Sequence, residues 1–242
     1  MLRLSPMAVP HRRTAATTAL RGVFFLSMSL ALLSPLIPTG TELTAILVVV
    51  SFSAGLNVYA TVGMLGLLAR FNVLALPPVL HLLQDWKIIA ICSVLFLLEF
   101  IGDKIPVFDL LWNAAHTFVR IPVAAFLAYA ATSQLPQWEQ IAATFAGGLI
   151  ALAAHSGKTA ARAAIVHSPE PFSNFALSTA EDALVIFLMW IVTRHPYIAS
   201  VIVLLALCVI AILIRFVVRA LRTLFSDAEA SLFSRGSGNS LH

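Results

Sequence analysis

Continuous apolar runs, each about 20 residues long, most constrain what this chain can fold into. Hydrophobic residues make up 60% of the 242 residues, whereas charged residues make up only 11%. The helices of a soluble core do not need apolar runs of this length. The runs also lack the alternation of apolar and polar residues that a membrane β-barrel requires. Because backbone polar groups in lipid must be satisfied within a helix, the sequence predicts an all-α, polytopic transmembrane bundle.

Six core helices are predicted, since segments that contain proline separate the apolar runs. We expect these helices at about residues 44–69, 86–103, 109–132, 139–163, 174–193 and 197–216. The chain then divides into a basic N-terminus (1–43), a transmembrane core (44–216) and a basic, partly disordered C-terminal tail (217–242). Two sets of three helices are compatible with a 3+3 inverted repeat, an arrangement found in many transporters.

The basic residues predict the orientation and the setting of the chain. Arg215, Arg219 and Arg222 share one helix face at the end of the last span, where they would meet anionic lipid headgroups. We therefore expect a multi-pass protein of the bacterial inner membrane with a cytoplasmic C-terminus, and a lipid bilayer rather than nucleic acid as its partner. The apolar segment at residues 23–38 is left open between a seventh span, an interfacial helix and a hairpin.

Six carboxylates lie within the predicted spans, and Asp109 and Glu139 are the first residues of theirs. The other four are the candidate site residues, because an ionised group within a span is costly unless it faces a cavity or an opposite charge. Glu99 and Asp103 are one turn apart on one helix face, so they repel each other unless a cation or a proton lies between them. Glu181 and Asp182 lie on the fifth core helix. Carboxylate oxygens suit protons and hard metal ions, and Glu99 and Asp103 are the expected ligands if the ion is a metal.

Basic side chains and histidines occupy the neighbouring helices. His116 and Arg120 share a face of the third core helix, and His116 would relay protons because its ordinary pKa lies near neutrality. The remaining members of this set are Lys104, His155, Lys158 and Arg162. With Arg120 they are predicted either to counterbalance the carboxylates or to grip a lipid phosphate.

The chain resembles a family of bacterial membrane proteins, the domain of unknown function 4126 family, over roughly residues 44–196. The resemblance lies in the segments Ser53-Ala-Gly-Leu-Asn-Val-Tyr59, Leu98-Glu99-Phe100, His116-Thr-Phe-Val-Arg120 and Ser168-Pro-Glu-Pro-Phe-Ser-Asn174. It implies an integral membrane protein, and it implies no activity, because the family has none assigned.

A shorter resemblance concerns Glu99, Gly102, Asp103 and Lys104. Their order is similar to the signature of the cation/proton exchanger family that includes the Golgi manganese and calcium transporters. In that family two such motifs lie on inverted three-helix repeats, and the acidic residues are the cation ligands. Here Ile105 stands where that family has Ser or Thr, and the second half of the chain has no Gly-Asp-Lys.

These patterns favour a secondary transporter or exchanger of a small cation or protons. One alternative is a lipid-headgroup-binding or lipid-handling protein, and another is a structural membrane subunit without a substrate. No nucleophile elbow, phosphate loop or metalloprotease motif occurs in the sequence, so neither an enzyme nor a cofactor is expected. The oligomeric state is left open.

Overall fold

The computed structural model of the protein describes residues 40–104, 106–165 and 171–238. These residues form seven α-helices and one short 3-10 helix (Pro78–Gln84), and they contain no β-strand. The predicted segment at residues 23–38 lies outside them. In chain order the helices are α1 (Gly40–Leu56), α2 (Val58–Arg70), α3 (Trp86–Gly102), α4 (Pro106–Ala131), α5 (Gln137–Ile165), α6 (Pro171–Ile191) and α7 (Pro196–Gly238).

Local sequence signals set where these helices begin. Pro106, Pro171 and Pro196 are the first residues of α4, α6 and α7, a position where proline suits the helix and loses no hydrogen bond. Asp85 caps α3, because its carboxylate accepts a hydrogen bond of 2.9 Å from the backbone N–H of Lys87. The helices predicted from the sequence at 86–103, 109–132, 139–163 and 174–193 therefore agree with α3 to α6 to within a few residues.

The first predicted span is not one helix. The helical run is interrupted at Asn57, whose backbone is extended (φ −148°, ψ 104°), and it divides into α1 and α2. The side chain of Asn57 accepts a 2.9 Å hydrogen bond from the backbone N–H of Ala60 and so caps α2. Asparagine is among the best N-cap residues, which explains why the helix restarts here.

The end of the chain also differs from the prediction. The last core helix is predicted to end at about residue 216, whereas α7 continues to Gly238. The segment after Arg219 contains Ala, Leu, Arg and Glu, which have high helix propensity, so the helix can continue beyond the apolar stretch.

α1 occupies the centre of the bundle. Every residue from 49 to 58 is buried, and α1 packs against α4, α5 and α7. The apolar core around it includes Val49, Phe52, Leu188, Val192 and Val203. The interruption at Asn57 therefore lies in the interior of the bundle.

Gly55 permits the close approach of α1 to α5. A Cβ atom at this position would meet the backbone carbonyl of Ala151 and would lie 2.8 Å from the Cβ of Ala154. Because backbone cannot move aside easily, Gly55→Ala is expected to lower the free energy of unfolding by about 1–3 kcal/mol. Thermal melting of the purified protein in detergent measures this change.

Gly148→Ala is the matched control for Gly55→Ala. Gly148 lies on α5, and the nearest atom to an added Cβ would be the Cβ of Ala125 at 3.6 Å, an ordinary contact distance. The control should melt near the parent temperature. Equal melting temperatures for both variants would contradict the tight α1–α5 contact.

Large apolar side chains cover the outside of the helices. Phe118 is 82% exposed, and Trp138, Phe145, Ile212 and Phe216 are similarly accessible. Within the part of the chain that the structure describes, one segment, Pro196–Arg219 in α7, is long and apolar enough to cross a membrane by length and composition. This segment is consistent with association of the protein with a membrane.

Candidate functional site

Six charged side chains from four helices meet in the interior of the bundle. Glu99 and Arg120 are both 0% exposed, although charged residues are almost never fully buried in proteins unless they are paired. Their helical spacing explains the convergence, since residues three, four or seven positions apart share a helix face. The six are Glu99 of α3 and its C-cap residue Asp103, Arg120 of α4, Lys158 and Arg162 of α5, and Glu181 of α6, and we call them the ion-pair cluster.

Lys158 lies at the centre of the ion-pair cluster. Its ammonium nitrogen is 2.9 Å from Asp103 Oδ2, 3.5 Å from Glu181 Oε2 and 3.7 Å from Glu99 Oε1. It therefore lies between Glu99 and Asp103, where the sequence predicted that a cation or a proton must relieve their repulsion. A base from the neighbouring helix α5 supplies that charge.

Two arginines complete the pairing. The Arg120 guanidinium donates to Glu99 Oε1. The Arg162 guanidinium is 2.9 Å from Asp103 Oδ2 and 3.1 Å from Glu181 Oε2. Three carboxylates thus meet three bases, and this balance matters because a buried charge that loses its partner is strongly destabilising.

His155 extends the cluster as a neutral ring. Arg120 Nη1 lies 3.0 Å from His155 Nδ1, and a guanidinium can only donate, so Nδ1 is the acceptor and carries no proton. The proton of the neutral ring is then on Nε2, which donates to Thr117 Oγ1 at 2.7 Å. His155 thus positions Arg120 and adds no positive charge.

Two further residues predicted for the site also lie outside the ion-pair cluster. His116 is held by the Tyr59 hydroxyl at 2.8 Å and by the Trp112 carbonyl at 2.8 Å, and its ring stacks on the Trp112 indole. The Lys104 ammonium donates to the Phe100 carbonyl at 2.9 Å and lies over the Phe100 ring. Neither side chain forms an ion pair with a carboxylate of the described residues.

Asp182 also lies outside the ion-pair cluster. Its Oδ1 accepts a hydrogen bond of 2.9 Å from the side-chain amide of Asn57, at the interruption between α1 and α2. The site predicted from the sequence does not include Asn57. This residue enters the sequence prediction only within the segment at residues 53–59, which carries the family resemblance. A lone asparagine after Gly55-Leu56 in an apolar run is an N-cap signal that could have identified it.

The predicted metal ligands are engaged by basic side chains. Glu99 binds Arg120, and Asp103 binds Lys158 and Arg162. Across residues 40–104, 106–165 and 171–238, no three side chains of His, Cys, Asp or Glu are grouped so that they could hold a metal ion.

The chain belongs to the family described as Domain of unknown function (DUF4126), whose sequence profile matches residues 44–216. This match confirms the family resemblance seen in the sequence, and it extends through the apolar part of α7. No curated protein and no solved structure matches the chain. The shorter resemblance to the cation/proton exchanger family stays a prediction.

Proposed function

We propose that this protein is a multi-pass protein of the bacterial inner membrane that exchanges protons for a small cation. The observation that carries the proposal is the position of Lys158, whose ammonium is shared by the buried carboxylates of Glu99 and Asp103 and by the partly exposed carboxylate of Glu181. Because the Lys158 ammonium has several carboxylate partners at similar distances, a small displacement of its side chain can move the ammonium from one carboxylate to another. Such a rearrangement would change which carboxylate is free to hold a proton or a cation.

The distribution of polarity supports the membrane setting. The interior holds the ion-pair cluster, whereas the exposed surface carries large apolar side chains such as Phe118, Phe145 and Phe216. A soluble protein has the opposite arrangement. In a bilayer the apolar surface faces lipid, and the charges face the bundle interior, where they mark substrate and proton pathways.

Helix lengths also support several membrane crossings. α3, α4, α5 and α6 contain 17, 26, 29 and 21 residues, and a helix needs about 20 residues to cross the hydrocarbon layer. The charged cluster residues lower the mean hydropathy of α4, α5 and α6, although these side chains face inward. α1 and α2 together form a broken helix, a feature of many transporter binding sites.

Glu181 is the place where the cluster comes nearest to the surface. Its side chain is 11% exposed, whereas those of Glu99 and Asp103 are 0% exposed. In the proposed mechanism Glu181 takes up a proton from water, Lys158 passes one of its own protons to Glu99 or Asp103, and Glu181 then returns a proton to Lys158. The neutral His155 ring holds Arg120 in place during these steps.

The lipid-phosphate alternative is less well supported by the same contacts. Arg120, Lys158 and Arg162 each bind a carboxylate already, and His155 accepts a hydrogen bond from Arg120. A phosphate would have to displace these partners from the interior, at the cost of leaving buried carboxylates without a counter-charge.

Glu181→Gln tests the proposed function. In proteoliposomes that contain a pH-sensitive dye, imposed gradients of sodium, potassium, calcium or manganese should drive proton movement through the parent protein. Glu181→Gln should abolish that movement while the protein stays folded, because Lys158 and Arg162 keep Asp103 as a partner. Thermal melting measures the folded state.

Glu139→Gln is the matched control for this experiment. Glu139 lies in the first turn of α5, outside the ion-pair cluster, and its replacement should leave proton movement unchanged. If no cation gradient moves protons through the parent protein, the exchanger proposal fails. If Glu181→Gln transports normally, Glu181 is not on the proton path.

A further inference from the structure

The contacts of α1 show the direction in which it runs through the bundle. Close to its start, the Thr41 hydroxyl lies 3.0 Å from the hydroxyl of Tyr197, which is in the first turn of α7. Its last residue, Leu56, lies at the ion-pair cluster, because the Leu56 carbonyl accepts a hydrogen bond of 3.4 Å from the Lys158 ammonium. α1 therefore runs from the start of α7 to the ion-pair cluster.

α2 runs along α3 in the direction opposite to that of α3. A Cβ atom at Gly63 would lie 3.4 Å from the Cβ of Cys92, near the middle of α3. At the last residue of α2, the Arg70 guanidinium lies 4.5 Å from the ring centroid of Trp86, the first residue of α3. Residue numbers thus rise along α2 while they fall along α3. Because α3 ends at the ion-pair cluster, α2 leads away from the cluster.

The start of α1 and the end of α2 lie at the same end of the bundle. α3 and α5 both end at the ion-pair cluster, where Asp103 binds Arg162 in the last turn of α5. Short connections join α3 to α7 in series, so consecutive helices run in opposite directions. α7 therefore begins at the end of the bundle where α3 begins. Thr41 beside α7 and Arg70 beside α3 are both at that end.

Aromatic side chains mark this end of the bundle as a membrane surface. The chain has four tryptophans and three tyrosines, and five of these seven lie within two residues of a helix end here and are 47–70% exposed. Both residue types are enriched at membrane–water interfaces, since their rings are apolar and carry one polar group. The five, which we call the aromatic rim, are Trp86, Tyr129, Trp138, Trp190 and Tyr197.

The interruption at Asn57 lies far below the aromatic rim. α1 and α2 contain 17 and 13 residues, so they extend about 26 and 20 Å, each less than the roughly 30 Å of the hydrocarbon layer. Non-helical backbone is tolerated at that depth only where it is buried in protein or lines a cavity. Asn57 meets this condition, because it is 1% exposed, its amide donates to Asp182, and its side-chain oxygen caps α2.

We infer that α1 and α2 form a re-entrant hairpin, which enters the membrane at the aromatic rim, turns at Asn57 and leaves on the same side. The inference rests on the membrane setting of the proposed function. It deepens that function, because the tip of the hairpin gives Lys158 a further partner, the Leu56 carbonyl, beside its three carboxylates. α3 to α7 are then the crossing helices of the described residues, and the segment at 44–69 is not a crossing.

Cysteine labelling with a maleimide that cannot cross membranes tests the hairpin. The parent protein is the blank, since Cys92 is buried and Cys208 lies in the apolar part of α7. Single cysteines replace exposed residues at the start of α1, after α2, after α6 and in the basic part of α7, as Gly40→Cys, Val73→Cys, Arg194→Cys and Arg222→Cys.

The hairpin predicts which of these cysteines are labelled together. In cells with a permeabilised outer membrane, Gly40→Cys and Val73→Cys should be labelled like Arg194→Cys, and Arg222→Cys should be labelled only after lysis. The reverse pattern, with Arg222→Cys alone labelled before lysis, supports the hairpin in the inverted orientation.

One continuous crossing through α1 and α2 predicts a different pattern. Labelling of Gly40→Cys with Arg222→Cys, and of Val73→Cys with Arg194→Cys, would overturn the hairpin. Gly40 has no atom within 4 Å of an added Cβ, so its replacement should not disturb folding. Should Val73→Cys fail to fold, Phe71→Cys takes its place, because Phe71 is 65% exposed at the same end of α2.

The hairpin and the exchanger fail separately in these experiments. The hairpin pattern of labelling, without proton movement in proteoliposomes, would refute the exchanger and leave the hairpin intact. Proton movement together with the pattern of one continuous crossing would refute the hairpin and leave the exchanger intact. Labelling of all four cysteines from one side would refute the membrane crossings on which both proposals rest.

Discussion

Arg120→Ala is expected to lower the free energy of unfolding by about 3–5 kcal/mol, the usual cost of removing one partner from a buried ion pair. Glu99 is 0% exposed and would lose its arginine. Lys158, at 3.7 Å from Glu99, is held more closely by Asp103 and cannot serve both fully. His155 would also lose the donor to its Nδ1. Thermal and chemical unfolding in detergent measure the loss.

A second substitution identifies the source of that loss. Glu99→Gln in the Arg120→Ala protein should restore part of the stability, because a neutral amide needs no counter-charge. Arg194→Ala, at an exposed arginine after α6, is the control and should change stability by less than about 0.5 kcal/mol. If Arg120→Ala melts like the parent, Arg120 is solvated in a cavity and handles substrate directly.

This experiment also separates architecture from transport. A structural subunit would lose stability in Arg120→Ala and regain part of it with Glu99→Gln, and it would show no proton movement in proteoliposomes. An exchanger would show both the loss at Arg120 and proton movement that depends on Glu181. Arg120 is thus expected to position Glu99, whereas Glu181 and Lys158 are expected to take part in proton transfer.

The members of the ion-pair cluster could be predicted from the sequence because charge is rare in this chain. Any ionisable group in an apolar helix must face inward, so Glu99, Asp103, Arg120, Lys158 and Arg162 could be named before their contacts were known. Helical spacing then indicated which of them share a face. The pairing itself could not be predicted, since the order of helices around the bundle depends on long-range packing.

The role of Asn57 was missed for a different reason. Hydropathy averages over a window, so one polar residue in a long apolar run hardly changes the predicted span. The interruption depends on a local signal, the preference of asparagine for the N-cap, which competes with the helix on either side. Asn57 also contacts Asp182, which lies on a segment far away in the chain, and such a contact is seen only in the folded structure.

The two errors in helix extent share one cause. The limits of the spans were drawn where apolar composition begins and ends, although a helix can break within an apolar stretch or continue past it. α7 therefore continues to Gly238, and α1 ends at Leu56, where composition alone gives no warning.

Lys158→Arg is expected to stop proton movement while leaving the protein folded. Arginine keeps the positive charge among Glu99, Asp103 and Glu181, so the electrostatic balance of the cluster is retained. Arginine cannot release its proton in a protein, whereas a buried lysine can. Cation-driven proton movement in proteoliposomes, normalised to folded protein, should therefore fall to the level of empty vesicles.

Lys87→Arg is the matched control, since Lys87 is exposed at the start of α3. It should transport like the parent. Undiminished proton movement in folded Lys158→Arg would show that Lys158 is only a fixed counter-charge, and the proton path would then run through the carboxylates alone. If Lys158→Arg and Glu181→Gln each lose transport while both proteins stay folded, Lys158 and Glu181 belong to the same proton path. Lys158 is the only base within reach of all three cluster carboxylates among the described residues, so the exchanger proposal depends most on this side chain.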